Sequence, residues 1–163
     1  MTGELFADIC RRQYGALFAM LRLLMEACPE ALWDKRGNEP PFWQQAYHTL
    51  RAVDFYLSAS PDQFKKPPFE DGQANNLSKR PEMVLPKEAL SQYLESVEAR
   101  FQRFLGDSAT ESLQGPNPFR WTGPTIGHRL VYNLRHAQHH LGWMASILRR
   151  GEAKPPAWIC DVG

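Results

Sequence analysis

The stretch PKEALSQYLESVEARFQRFLG, residues 86–106, is the most regularly patterned part of the chain. Its apolar residues recur every three or four positions and fall on one narrow face, because a helix turns about 100° per residue. That face consists of Leu90, Leu94, Val97, Phe101 and Leu105. Proline is tolerated in a first turn and glycine favours helix termination, so the stretch predicts an amphipathic helix over residues 86–105.

Three further segments carry the same helical period, and no segment alternates in the manner of a strand. These helices are predicted over residues 3–28, 40–58 and 124–150, and Gly151 suits the C-terminal end of the last one. A chain of 163 residues corresponds to one domain. We therefore predict an all-α protein, a single four-helix-bundle domain that spans residues 1–163.

The connection between the second and third predicted helices, residues 59–85, is long and rich in turn-forming pairs such as Pro67-Pro68 and Asn75-Asn76. Connections of this length are uncommon in compact domains and usually either cross over the domain or carry function. In a bundle they also permit crossovers, so these two helices need not be antiparallel neighbours. The fold prediction is therefore a four-helix bundle with long crossover connections.

Composition argues against several classes of protein. The chain has 19 Lys+Arg and 18 Asp+Glu, and this near-zero net charge gives no electrostatic reason to expect binding to nucleic acid or a membrane surface. The longest apolar stretch, residues 16–25, is too short for a membrane span, and the first residues lack signal-peptide features. The spacing of Cys10, Cys28 and Cys160 suits neither a disulfide framework nor a zinc site. We expect a cytoplasmic protein that binds neither nucleic acid nor membranes.

Three of the five histidines lie close together in the last predicted helix, in NLRHAQHHLGW, residues 133–143. Relative to the aliphatic stripe of that helix, His136 and His140 lie on its flank, while His139 lies on the opposite, solvated side. Two imidazoles four residues apart can converge on one metal ion. A zinc protease would carry glutamate at the position of Ala137, which excludes that class. The alternative is two core-edge histidines bonded to backbone or water.

A third ligand would have to come from another part of the chain, and His48 in the second predicted helix is the candidate. One apolar face of that helix is formed by Trp43, Ala46, Leu50, Val53 and Leu57. His48 lies opposite, beside further apolar residues, so the helix is apolar on two sides. This pattern fits a helix buried between its neighbours or at a subunit interface. His48 either meets the last helix across the bundle or is a surface histidine.

Three glutamine and asparagine side chains are further candidates for the site. Gln13 falls on the predicted inward stripe of the first helix, which runs from Leu5 through Ile9 to Leu24. Gln13 either faces a polar cavity, or it is exposed to solvent because the start of the helix extends beyond the bundle. Gln44 and Asn133 each lie one turn before a candidate ligand and are candidates to orient an imidazole N–H.

Two stretches together, YHTLRAVDFYL at 47–57 and HAQHHLG at 136–142, resemble the DinB/YfiT-like superfamily. Its members are four-helix bundles, often dimeric, in which one histidine of the second helix and two of the last helix hold a divalent metal. Carried onto this chain, the resemblance marks His48, His136 and His140 as metal ligands. It extends to the length of the chain, the helix order and the long connections.

The residues around Gly142 depart from the family pattern. In many relatives the corresponding glycine is preceded by arginine and followed by glutamine, whereas here its neighbours are Leu141 and Trp143. This departure leaves the three marked histidines intact. The departure bears only on those substrate contacts that are specific to one subfamily.

The resemblance implies metal-assisted chemistry. Three protein imidazoles leave coordination positions open, which is typical of a catalytic site, and zinc or nickel is the metal expected most. The superfamily includes thiol-dependent S-transferases and a thiol-dependent isomerase. An enzyme acting on a small molecule, with S-transferase-like chemistry using a low-molecular-weight thiol or with hydrolase chemistry, is therefore expected, as a homodimer. The alternative is a non-catalytic, metal- or small-ligand-binding dimeric bundle related to stress or damage. The sequence assigns no catalytic residue.

Overall fold

The structure, a computed structural model, describes residues 3–70, 72–107 and 112–162. Its regular structure in these residues is helical, and the protein is an all-α bundle of four long helices with one short helix before the second. In chain order they are α1 (Gly3–Ala27), α2 (Glu30–Trp33), α3 (Phe42–Tyr56), α4 (Lys87–Asp107) and α5 (Ile126–Arg150). None of the described helices combines the length and the apolar character that crossing a membrane requires.

Around the bundle the long helices follow one another in the order α1, α4, α3, α5. The most extensive packing is between α3 and α5, and α1 packs on both α4 and α5. α1 therefore lies diagonally across from α3, and α4 lies diagonally across from α5. The long connection of residues 59–85 joins two neighbouring helices, α3 and α4. The connections that cross the bundle diagonally are those from α1 to α3 and from α4 to α5.

Almost the whole circumference of α3 is buried. Trp43 and Leu50 lie in the core on the face that the sequence predicts, and Ala52 and Tyr56 on the other side are buried as well. Both apolar faces are covered by the chain itself, because α3 packs against α4 and α5. Of the two alternatives for this helix, burial between neighbours is the correct one, and this places His48 inside the bundle.

The first half of α1 turns a different face to the core from the one its apolar spacing predicts. Leu5 and Ile9 are 51% and 41% exposed, and Gln13 is exposed too. The core position is taken by Tyr14, which is fully buried and donates its hydroxyl proton to the carbonyl oxygen of Leu130 at 2.8 Å. The predicted inward stripe is therefore wrong at Leu5 and Ile9, and Gln13 is exposed to solvent. Further along the same stripe, Leu17 and Leu24 are buried as predicted.

Local chemistry at its two ends explains where α5 begins and stops. Thr125 is the N-cap, and its side-chain oxygen accepts a hydrogen bond from the backbone N–H of His128 at 3.3 Å. Gly151 ends the helix but has a φ of −90°, so it lacks the left-handed conformation typical of a C-terminal glycine. A Cβ at this position would overlap the side chain of Leu32, which would have to shift. The following residue, Glu152, takes the left-handed conformation, with a φ of 61°.

Candidate metal centre

The first side chain of the candidate site is His48, in the middle of α3. It is partly buried, and its ring Nδ1 donates a hydrogen bond to the backbone carbonyl oxygen of Asn75 at 2.8 Å. A carbonyl oxygen only accepts hydrogen bonds, so Nδ1 carries the ring proton. The other nitrogen, Nε2, therefore presents its lone pair toward α5.

α5 supplies the other two imidazoles, from His136 and His140, which are four residues apart. The Nε2 atom of His136 lies 3.2 Å from that of His140 and 3.4 Å from that of His48. On its far side, the Nδ1 atom of His140 donates to the side-chain oxygen Oε1 of Gln45, on α3, at 2.8 Å. Three ring nitrogens from two helices thus converge on one point. For two of the rings a second polar group sets which nitrogen bears the proton.

The spacing of these nitrogens fits the ligand set of a single metal ion. Metal–nitrogen bonds of about 2.0–2.1 Å in tetrahedral geometry place two ligand nitrogens about 3.3–3.4 Å apart. The lone pairs of His48 and His140 both point at His136, whose Nε2 can donate one proton at most. The Nδ1 atom of His136 is buried without a hydrogen-bond partner in the described part of the chain. A shared cation would satisfy all three Nε2 lone pairs at once.

The surroundings keep the three rings neutral. Burial first, and then the neighbouring imidazoles of His48 and His136, lower the pKa of His140 to about 3. Burial, with His48 and His139 adding to it, lowers the pKa of His136 to about 4. Burial also lowers the pKa of His48, partly opposed by its hydrogen bond to Asn75. At pH 7 the three rings are therefore uncharged, and no positive charge on an imidazole opposes the binding of a cation.

The remaining two histidines stay outside the cluster. His139 is exposed, as its helical phase predicts, and its ring lies edge-on to that of Trp143 with 6.1 Å between centroids. His128 is exposed as well, and its Nδ1 atom lies 2.7 Å from the hydroxyl oxygen of Thr125. In the described residues, the group of side chains that could hold a metal ion therefore consists of the imidazoles of His48, His136 and His140.

Neither of the two amide side chains predicted to orient an imidazole forms a hydrogen bond to one in the described residues. Gln44 is fully buried, but its Nε2 donates to the carbonyl oxygens of Asn76 at 3.0 Å and Lys79 at 3.2 Å. Asn133 is fully buried too, and neither polar atom of its side chain has a hydrogen-bond partner in the described residues. Both predictions of direct contact with a ligand histidine are therefore wrong.

The amide that does orient an imidazole is Gln45, which the sequence reasoning missed. It is 1% exposed and its Oε1 receives the Nδ1 proton of His140. The available signal was its position three residues before His48, which places it on the same flank of α3. Choosing between Gln44 and Gln45 requires the rotation of α3 relative to α5, and periodicity alone does not give that angle.

Aromatic side chains flank the ring of His136. The ring of Tyr132 lies nearly parallel to it, at 8°, with 6.4 Å between centroids. Tyr56 packs on Tyr132, and its hydroxyl accepts a hydrogen bond from the indole N–H of Trp121 at 3.1 Å. Tyr132 and Arg135 also line an open groove of about 580 Å³. This volume is in the range of small-molecule sites, and the groove lies one aromatic ring away from the triad.

The thiols do not join the cluster. Cys10 and Cys28 are buried and Cys160 is exposed, and all three are free. Burial raises the pKa of Cys10 to about 11 and that of Cys28 to about 12, so both keep their protons at pH 7. In the described residues, no cysteine belongs to the histidine group.

The sequence also matches a family profile. The profile of the DinB superfamily matches residues 13–144, which is most of the chain and includes all three clustered histidines. The matched region begins within α1 and ends within α5. No curated protein matches the chain.

Proposed function

The chain belongs to the DinB superfamily, and we propose that it is a metal-dependent enzyme whose divalent cation is bound by His48, His136 and His140. The observation that carries this proposal is the convergence of three ring nitrogens from residues up to 92 apart, since 140 − 48 = 92. Zinc and nickel are the metals that we expect, because imidazole nitrogen suits both.

The contribution of the protein is a set of neutral donors in a fixed arrangement. The carbonyl oxygen of Asn75 and the Oε1 of Gln45 hold the protons of two rings on Nδ1. The ring of Tyr132 lies nearly parallel to that of His136, at 8°. A divalent cation held by three neutral imidazoles keeps its full charge and lowers the pKa of a water molecule or a thiol in an open position.

The reaction that we propose is the attack of a nucleophile on an electrophilic small molecule. In the S-transferase-like form, the sulfur of a low-molecular-weight thiol forms the new bond, while the leaving group departs and the thiol proton passes to solvent. In the hydrolase form, water takes the place of the thiol. The family resemblance supports the first form, and the groove beside Tyr132 is the place we propose for the substrate.

Metal analysis of the purified protein tests the ligand set. We expect about one equivalent of zinc or nickel in the wild type and none in the variant with all three histidines replaced by alanine. Substoichiometric metal in both preparations would refute the proposal. The metal-loaded protein, incubated with a low-molecular-weight thiol and a chromogenic electrophile, should then form the thioether faster than the triple variant does.

The alternative function is a non-catalytic bundle that binds a metal or a small ligand, in a response to stress or damage. The donor set favours it, since in the described residues the metal-ligating group consists of histidines and includes no carboxylate that would serve as general base. Stoichiometric metal without turnover of any electrophile would support this alternative. In either case the family resemblance suggests a homodimer, which sedimentation velocity would measure.

A further inference from the structure

The segment of residues 72–80, which we call the strap, lies against the His48 side of the metal centre. Two side chains of α3, one helical turn apart, reach it. His48 donates to the carbonyl oxygen of Asn75, and Gln44 donates to those of Asn76 and Lys79. The long connection between α3 and α4 therefore supplies the oxygen atom that sets the tautomer of a proposed ligand.

The amide of Gln44 is used as a donor. Its Nε2 has two protons and makes two hydrogen bonds, of 3.0 Å and 3.2 Å, to carbonyl oxygens three residues apart. Its Oε1 is buried and has no hydrogen-bond partner in the described residues. Leaving a buried acceptor unpaired costs stability. Both hydrogen bonds that the Gln44 side chain makes therefore hold the backbone of the strap.

The strap is otherwise shaped by short turns. The backbone N–H of Lys79 donates to the carbonyl oxygen of Asn76 at 2.9 Å, so that oxygen accepts from both Lys79 and Gln44. The side-chain oxygen of Asn76 accepts from the backbone N–H of Ser78 at 3.0 Å. Asn76 is thus fixed on several sides, and Asn75, whose carbonyl faces His48, is its covalent neighbour. The direction of that carbonyl depends on how Asn76 is held.

We infer that Gln44 is a positioning residue for the metal centre, acting on His48 through the strap. By holding the carbonyls of Asn76 and Lys79, it keeps the Asn75 carbonyl where it accepts the Nδ1 proton of His48. Nε2 of His48 then stays deprotonated and directed at His136. This inference rests on the proposed function, because metal affinity is the property that it assigns to Gln44.

The first test compares zinc affinity among three variants. Gln44→Met keeps the length of the side chain and removes the donor, and we expect its Kd for zinc, measured by chelator competition, to rise about 10–100-fold. Gln13→Met makes the same change at an exposed position, and Val97→Ala destabilises the core away from the strap. Both controls should bind zinc with a Kd within about twofold of wild type. This is well below the rise of about 10–100-fold expected when a ligand histidine loses the group that accepts its N–H. Wild-type affinity in Gln44→Met, or an equal loss in Val97→Ala, would overturn the inference.

The second test needs no metal and so separates the two proposals. Ring ¹⁵N chemical shifts of the metal-free protein at pH 7 report the tautomer of each histidine. We expect His48 to be protonated at Nδ1 in the wild type and to populate both tautomers in Gln44→Met. Unchanged His48 shifts in the variant would refute the role of Gln44. A wild-type protein that binds neither zinc nor nickel would refute the proposed function instead, and the shifts would still decide whether Gln44 sets the tautomer of His48.

Discussion

His48 and His140 each donate their Nδ1 proton to an oxygen atom, whereas the Nδ1 of His136 is buried with no such partner in the described residues. The first two rings are therefore held in one tautomer and one orientation. His136 instead packs against other rings, with centroid distances of 4.6 Å to His140, 5.3 Å to His48 and 6.4 Å to Tyr132. The comparison indicates that α3 and the strap supply the oxygen atoms that fix two of the rings, whereas His136 of α5 has no such oxygen in the described residues.

We call the oxygen atom that accepts the Nδ1 proton of a ring its outer partner. The largest expected effect comes from removing a whole ring that has one. We predict that His140→Ala weakens zinc binding by more than about 100-fold, beyond the range for the loss of an outer partner. His139→Ala is the matched control, because it removes the adjacent but exposed imidazole. Calorimetric titration with zinc measures both. Equal affinities in the two variants would mean that position on the helix does not decide ligation.

The next effect concerns the connection that leads to the strap. The Nε of Arg51 lies 2.9 Å from Oε2 of Glu70, and the Glu70 side chain is 2% exposed. Because Glu70→Ala leaves a largely buried guanidinium unpaired, we predict a loss of about 3 kcal/mol in the free energy of unfolding by urea. Glu82→Ala, at an exposed position, should change it by less than about 0.5 kcal/mol. A negligible loss at Glu70 would show that the strap is held without this ion pair.

Removing an outer partner alone should have an intermediate effect. Gln45→Met deletes the oxygen that accepts the Nδ1 proton of His140, and we predict a zinc Kd about 10–100-fold higher. Gln102→Met, on the exposed side of α4, is the matched substitution and should leave zinc binding unchanged. If Gln45→Met binds zinc like the wild type, the distinction between partnered and unpartnered rings has no energetic meaning.

The smallest effect is expected at His136, the ring whose Nδ1 has no hydrogen-bond partner in the described residues. Tyr132→Leu removes the ring stacked on His136, and we predict about a threefold weaker affinity for zinc, because stacking fixes no proton. Chelator competition under the conditions used for Gln45→Met gives the comparison. A loss as large as that of Gln45→Met would show that packing positions His136 as firmly as hydrogen bonds position the other two.

Much of the fold follows from periodicity, because the all-α bundle depends on apolar faces that the sequence displays. α2 escaped prediction, since four residues show no period. The buried face of the first half of α1 was predicted wrongly for a different reason. Leu5 and Ile9 have the spacing of core residues, but the buried face there is set by Tyr14 and its hydrogen bond to Leu130. Ala7 and Cys10 in the same turns are buried, so an apolar stripe indicates the core only when it lies on the face that the neighbouring elements cover.

At the candidate site, helical phase separated His136 and His140 from the exposed His139. The need for a third ligand made His48 a candidate, and the family resemblance then marked it as well. The outer partners were beyond sequence reasoning. Asn75 contributes a backbone carbonyl, which every residue has, so no residue type indicates it. Gln45 differs from Gln44 only by a rotation about the axis of α3. Such contacts depend on how elements pack, and local spacing does not contain that information.

X-ray absorption at the zinc edge of the loaded protein tests the central claim most directly. Three imidazoles bound to one ion predict nitrogen or oxygen neighbours at about 2.0–2.1 Å with outer-shell scattering from three rings. His136→Ala should remove one ring from that signal. A spectrum with sulfur at about 2.3 Å, or without imidazole scattering, would contradict the three-histidine centre.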